Sequence, residues 1–184
     1  MNKTLIRVLL LFILAGSGFA GGVDISVSRI ENSQDHSAFI PSRYFSFGAA
    51  SRFDLQERVV LFVKGEYGSG DVEITEPELP PEAIYDADGR IWSLETGVDY
   101  TPFSRFFFFR ASAGVGYMLH DYCVYGEEWD TIHADSETEV LFTVGAGTRF
   151  PVDGIPVLDS MHFLVSMEKL GDYSLISGEI GIGL

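Results

Sequence analysis

The sequence predicts an all-β fold: eight antiparallel strands closed into an up-and-down barrel that crosses a membrane. Three observations predict it. Apolar residues alternate with polar or small ones in eight segments, one face of those segments carries no charge, and most glycines share the opposite face with the charges. Period-two alternation means strands, because successive side chains leave a strand on opposite sides. Beyond the N-terminal segment, no stretch reaches the roughly 18 apolar residues that a membrane-spanning helix requires.

The chain opens with Lys3 and Arg7, an apolar run from Val8 to Ala15, and small residues ending in Gly18-Phe19-Ala20. Charge, apolar core and small-residue site in that order read as a secretory signal peptide, residues 1–20, with residues 21–184 as the exported domain. The apolar core is too short for an anchor helix, and no cysteine near the cleavage site can take a lipid. The remaining 164 residues suit one domain.

The strands are expected near 23 to 30, 44 to 54, 59 to 74, 90 to 100, 106 to 120, 138 to 150, 161 to 169 and 174 to 184. The first sets Ile25 and Val27 against Asp24, and the second sets Phe45, Phe47 and Phe53 against Arg52. In the third, Val59, Leu61, Val63 and Tyr67 oppose Lys64 and Glu66; in the fourth, Trp92, Leu94, Val98 and Tyr100 oppose Glu95 and Asp99. The fifth sets Phe107, Phe109, Val115, Tyr117 and Leu119 against Arg110, and the sixth sets Val140, Phe142, Val144 and Phe150 against Glu139 and Arg149. Phe163, Val165 and Met167 oppose Glu168 in the seventh, and Ile176, Ile180, Ile182 and Leu184 oppose Glu179 in the eighth.

Periodicity leaves open which face points outward, and a soluble lipocalin-like binder would put the apolar face inside around a ligand. Three features favour the inverted arrangement. Gly48, Gly97, Gly114, Gly116, Gly145, Gly147, Gly181 and Gly183 suit the narrow interior of an eight-stranded barrel better than a solvated surface. Connections near 54 to 58, 101 to 105 and 151 to 160 are shorter than those near 31 to 43, 75 to 89 and 121 to 137, as inner turns are shorter than outer loops in such barrels. Aromatic residues Phe53, Tyr100, Phe103, Phe106, Phe107 and Phe150 gather at the short turns, where an interfacial girdle belongs, and Tyr67, Trp92 and Tyr117 suit the opposite girdle.

With its final series Ser177-Gly178-Glu179-Ile180-Gly181-Ile182-Gly183-Leu184, the chain resembles the small eight-stranded outer-membrane barrels, the group that includes the OmpX and OmpA transmembrane domains. The resemblance is one of architecture over 21 to 184. It implies an outer-membrane location with both termini in the periplasm and insertion by the barrel-assembly machinery. That family usually ends in an aromatic residue, whereas this chain ends in Leu184.

Arg52, Lys64, Glu66, Glu95, Asp99, Arg110, Glu139, Arg149, Glu168 and Glu179 form the expected lumenal charge network, because isolated buried charges are costly and must pair. Arg110 is expected opposite or diagonal to Glu95 across a turn near Pro102-Phe103, plugging the lumen. The alternative use of the same charges is a narrow cation-selective pore, given the excess of acids. The loop acids Glu76, Glu78, Glu82, Asp86 and Asp88, and Asp121, Glu127, Glu128, Asp130, Asp135 and Glu137, suit a surface-interaction role or contact with divalent cations bound to lipopolysaccharide. Asp86-Ala87-Asp88-Gly89 lacks the ligand spacing of a calcium loop, so no metal or cofactor site is assigned.

A lipid A-modifying enzyme is the remaining alternative, since His36, Ser37, His120, His133 and His162 are available. Their spacing matches no such enzyme, they read as loop histidines, and no catalytic residue is assigned. The 27 acidic against 12 basic residues give a net charge of −15, which repels nucleic acid. Cys123, the only cysteine, excludes an internal disulfide and is expected in a loop. The expected partners are membrane lipid and lipopolysaccharide around a monomer.

Overall fold

The structure is a computed structural model that describes residues 22–32, 43–71, 84–103, 106–124 and 131–184. Residues 1–20, read as a signal peptide, lie outside the described residues, as do His36, Ser37, Glu76, Glu78, Glu82, Glu127, Glu128 and Asp130. Eight strands run β1 Gly22–Asn32, β2 Arg43–Gln56, β3 Val59–Asp71, β4 Ile84–Tyr100, β5 Phe107–Val124, β6 Thr131–Pro151, β7 Ser160–Leu170 and β8 Tyr173–Gly183. Each pairs antiparallel with the next, and β8 returns to β1 to close the barrel. Closure leaves no unpaired sheet edge through the barrel wall.

The stagger follows from the register. From Ser136 on β6, the hydrogen-bonded row passes through Leu119, Arg90, Ser69, Phe45, Arg29, Gly178 and Val165 and re-enters β6 at Ala146, ten residues further along. Such a shear tilts the strands and leaves an interior only wide enough for side chains. The N- and C-terminal strand ends meet at the short-turn end, where the amides of Val23 and Leu184 each donate to the other's carbonyl. At the opposite end β7 and β8 join through Gly171 and Asp172, and Gly171 takes the left-handed conformation (φ 55°) that a tight turn needs.

Exposure follows the alternation. Val27, Phe45, Phe47, Leu94, Phe107, Phe109, Val115, Phe142, Val144, Phe163, Val165, Met167, Ile176 and Ile180 all face outward and are exposed. Monomeric soluble proteins do not carry a continuous apolar surface on this scale. Aromatic rings bound it on both sides. Tyr67, Trp92 and Tyr117 stand side by side on β3, β4 and β5 with ring centroids 5.3 and 5.7 Å apart. At the turn end Phe106 and Phe150 pack at 6.0 Å, beside exposed Tyr100, Phe103 and Phe107.

The inward glycines let the strands crowd the lumen. A Cβ on Gly114 would run into the Leu94 carbonyl and the Glu95 backbone, whereas outward Gly178 has open space. Gly114→Val is therefore expected to lower stability by about 1 to 3 kcal/mol through overpacking. Gly178→Val should change it far less, and urea unfolding of both variants in lipid vesicles measures the contrast.

Two sequence expectations need correction. The sequence predicts loops over 75 to 89 and 121 to 137, but β4 begins at Ile84, β5 runs to Val124 and β6 begins at Thr131, with Val124 paired to both Ile84 and Thr131. The three strands continue as a sheet past the girdle, and the period-two apolar signal disappears there. Cys123 accordingly lies in β5, opposite Tyr85 and Ile132, and not in a loop.

Candidate functional site

The lumen concentrates the buried polar chemistry, and the alternation puts it there: each strand turns its charged parity inward. At the short-turn end, Arg52 Nε lies 3.2 Å from Asp24 and its Nη2 3.4 Å from Asp159. Arg149 Nη2 lies 3.1 Å from Asp99 and 3.7 Å from Asp24. Deeper in, Arg110 donates from Nε and Nη2 to the two oxygens of Asp99 at 2.8 and 3.0 Å, a bidentate pair. Its Nη1 reaches Glu179 at 3.4 Å.

Glu179 joins three other strands. Besides Arg110 of β5, it takes Lys64 Nζ of β3 at 2.6 Å and faces His162 Nε2 of β7 at 2.8 Å. Lys64 also lies 2.7 Å from Glu66 and 3.9 Å from Glu95. Glu95 accepts from Ser112 at 2.6 Å and from Thr143 at 3.2 Å, Glu66 accepts from Ser46, and Glu168 accepts from Ser166 at 3.2 Å. These bonds give the buried carboxylates the partners that desolvation demands.

Of the sequence-predicted residues, Arg52, Lys64, Glu66, Glu95, Asp99, Arg110, Arg149 and Glu179 thus meet in one ion-pair network. Glu168 has a serine hydroxyl, and Glu139 lies at the outer end, where it packs against Gly171. The partner expected for Arg110 was Glu95. The register instead sets Arg110 directly opposite Asp99 and Glu95 opposite Gly114, so Asp99 takes the guanidinium.

Sequence reasoning missed the apolar lining. Phe62 and Phe108 are fully buried among the charges, with the Arg110 guanidinium 4.4 Å from the centre of the Phe62 ring and that of Arg149 4.9 Å from the centre of Phe108. Above the network, Ile30, Tyr44, Ile91, Met118, Leu141, Leu170 and Leu175 form a buried apolar cluster across the outer end, with Tyr173 packed on it. Beneath it a cavity of about 20 Å³, lined in part by Glu66, Glu168 and Tyr44, has room for about one water.

The signal for this cluster was present in the strand parity. Its members occupy the charged parity at the outer strand ends, where the neighbouring outward positions are Arg29, Arg43, Arg90 and Lys169. The pattern inverts there because the outward face leaves apolar surroundings while the inward face becomes an ordinary core.

The sequence suggests loop histidines, but His120 and His162 lie in β5 and β7 with buried side chains, and His133 lies in β6. His162 serves Glu179 inside the wall and has no open approach for a substrate. Among the described residues no group of three histidine, cysteine, aspartate or glutamate side chains is placed to hold a metal ion. On the outer extension, partial burial and the neighbouring carboxylates Glu139, Asp135 and Asp172 raise the Glu137 carboxyl above its usual range. Protonation therefore relieves repulsion along this acidic strand.

No protein-family model matches the chain, and no curated protein matches it in sequence. Solved structures do. The attachment invasion locus protein Ail of Yersinia pestis superposes with a TM-score of 0.60 at 15% identity, covering 88% of this chain and 95% of that one. The N-terminal β-barrel domain of Pseudomonas aeruginosa OprF gives a TM-score of 0.50 at 11% identity, covering 90% of this chain and 98% of that domain. At these identities the likeness concerns the fold: that of small eight-stranded outer-membrane barrels.

Proposed function

We propose that the protein is a bacterial outer-membrane barrel whose role is structural and surface-interacting, with a closed lumen and its recognition surface on the outer extension of β4, β5 and β6. The observation that carries this reading is the inversion of the side-chain pattern. An apolar belt faces outward around a charged interior, and beyond the girdle the arrangement reverses. That suits a wall set in lipid with one end in water. The termini and short turns then face the periplasm and the β4–β6 sheet faces outside.

The filled interior supports a scaffold over a conduit. Paired charges occupy the turn half of the lumen, and the cluster around Met118 and Leu170 closes the outer half. The extension adds Asp88, Asp135 and Glu137 to the acids of the neighbouring loops, which favours cationic partners, including divalent cations that bridge to lipopolysaccharide. Insertion would depend on the assembly machinery, and the closed single-chain wall suits a monomer. A lipid A-modifying activity has no supporting constellation among the described residues, and a pore remains the second reading because acids outnumber bases in the lumen.

Two measurements test this. In the outer-membrane fraction the protein should migrate differently on SDS gels before and after boiling, because a closed barrel resists cold detergent. Purified protein in planar bilayers should then give no conductance steps. Steady cation-selective conductance would replace the scaffold with the pore, and a soluble periplasmic protein without a heat shift would overturn the membrane reading.

A further inference from the structure

Nine lysines and arginines fall among the described residues. Arg52, Lys64, Arg110 and Arg149 line the lumen, Arg58 lies at a short turn, and Arg29, Arg43, Arg90 and Lys169 occupy outward positions just beyond the apolar belt. In a chain of net charge −15, these outward strand bases thus all lie toward the outer strand ends. Three of them fall in the sector from β7 through β8 and β1 to β2. Arg29 stands opposite Phe45, Arg43 opposite Glu31, and Lys169 opposite Ser174.

Glu31, the outward-facing strand acid at that rim, holds two of these bases, and exposed Asp172 lies in the β7–β8 turn beside the third. Glu31 accepts from Arg29 Nη2 at 2.7 Å and lies 3.6 Å from Arg43 Nε, so one carboxylate holds two guanidiniums and leaves an excess of positive charge. All three groups are well exposed, with Arg29 and Arg43 side chains at 57% and 72% of full accessibility. Lys169 stays at the rim by donating to the Asp172 carbonyl. The facing sector differs in sign: exposed Asp71 and Asp88 stand directly opposite each other on β3 and β4.

We infer that the rim from β7 to β2, through Arg29, Arg43 and Lys169, binds the phosphate groups of a lipid A-type glycolipid in the outer leaflet. The inference rests on the membrane reading above. A headgroup phosphate lies at the level where acyl-facing residues give way to polar ones, and exposed Phe45 opposite Arg29, Ile176 opposite Glu31, and Met167 beside Ile176 supply the adjoining apolar surface for its chains. Arginine suits the site because its planar fork takes phosphate oxygens in pairs.

The test uses the full chain inserted in phosphatidylcholine nanodiscs containing either diphosphoryl lipid A or its dephosphorylated form, with native mass spectrometry of the lipid retained after extraction. Wild type should retain the phosphorylated lipid preferentially. R29Q/R43Q/K169Q should lose at least about tenfold of that retention, as expected for removing three bases near a charged membrane surface. R29K/R43K/K169R should keep it. Added salt should weaken wild-type retention of the phosphorylated lipid alone, and this reads out the contact even if the triple glutamine variant fails to fold. Equal retention of both lipids by wild type, or an unchanged preference in the glutamine variant, would show that the rim bases serve only their own acids. Failure of wild type to insert at all would instead sink the membrane reading.

Discussion

Val144→Arg is expected to remove about 2 to 4 kcal/mol of barrel stability, the cost of a cation on the lipid face near the bilayer midplane. Val144 is 60% exposed, on β6 between the two girdles, and its outward neighbours Ala111 and Met167 offer no counter-charge. Val144→Ala removes only two methyl groups from a lipid contact and should lie near wild type. Urea unfolding in vesicles followed by tryptophan fluorescence measures both. Equal stability for the two variants would mean that this face is not in lipid. An arginine at adjacent Thr143 is no neutral comparison, because Thr143 is buried and donates to Glu95 in a filled lumen.

The second large effect is expected at Arg110, whose replacement by methionine should cost about 3 to 5 kcal/mol, the penalty for breaking a buried ion pair from one side. Asp99 would lose its bidentate partner and keep Arg149, and Glu179 would keep Lys64 and His162 but lose the guanidinium. Removing Asp99 as well, in D99N/R110M, takes away the stranded charge and should recover a substantial part of the loss. The double-mutant cycle reads the coupling as the difference between the summed single losses and the double loss. Additive losses would mean that water screens the lumen and that the pairs do not hold it.

The two predictions draw on different parts of the sequence signal. Alternation was legible wherever one face meets lipid, so all eight strands and the outward set from Ile25 to Ile180 follow from parity. It failed where that demand stops. Residues 84 to 89 and 131 to 137 are strand but polar and irregular, because a sheet standing clear of the membrane needs only its ladder of backbone hydrogen bonds. The inward apolar cluster around Ile91 and Met118 was missed for a related reason: its residues share the parity of the charges, and only the change of surroundings at the rim explains their place.

By itself, then, the sequence determined the number of strands, their faces and the inward gathering of charge and glycine, since each is a local consequence of a two-residue period against an apolar surrounding. Only the tertiary structure decided which charges meet. Arg110 pairs with Asp99 and not Glu95, and Glu179 on the last strand gathers Lys64, His162 and Arg110 from three others. Those choices depend on register and on the ten-residue stagger at closure, and a shift of two residues would preserve every face while exchanging every partner.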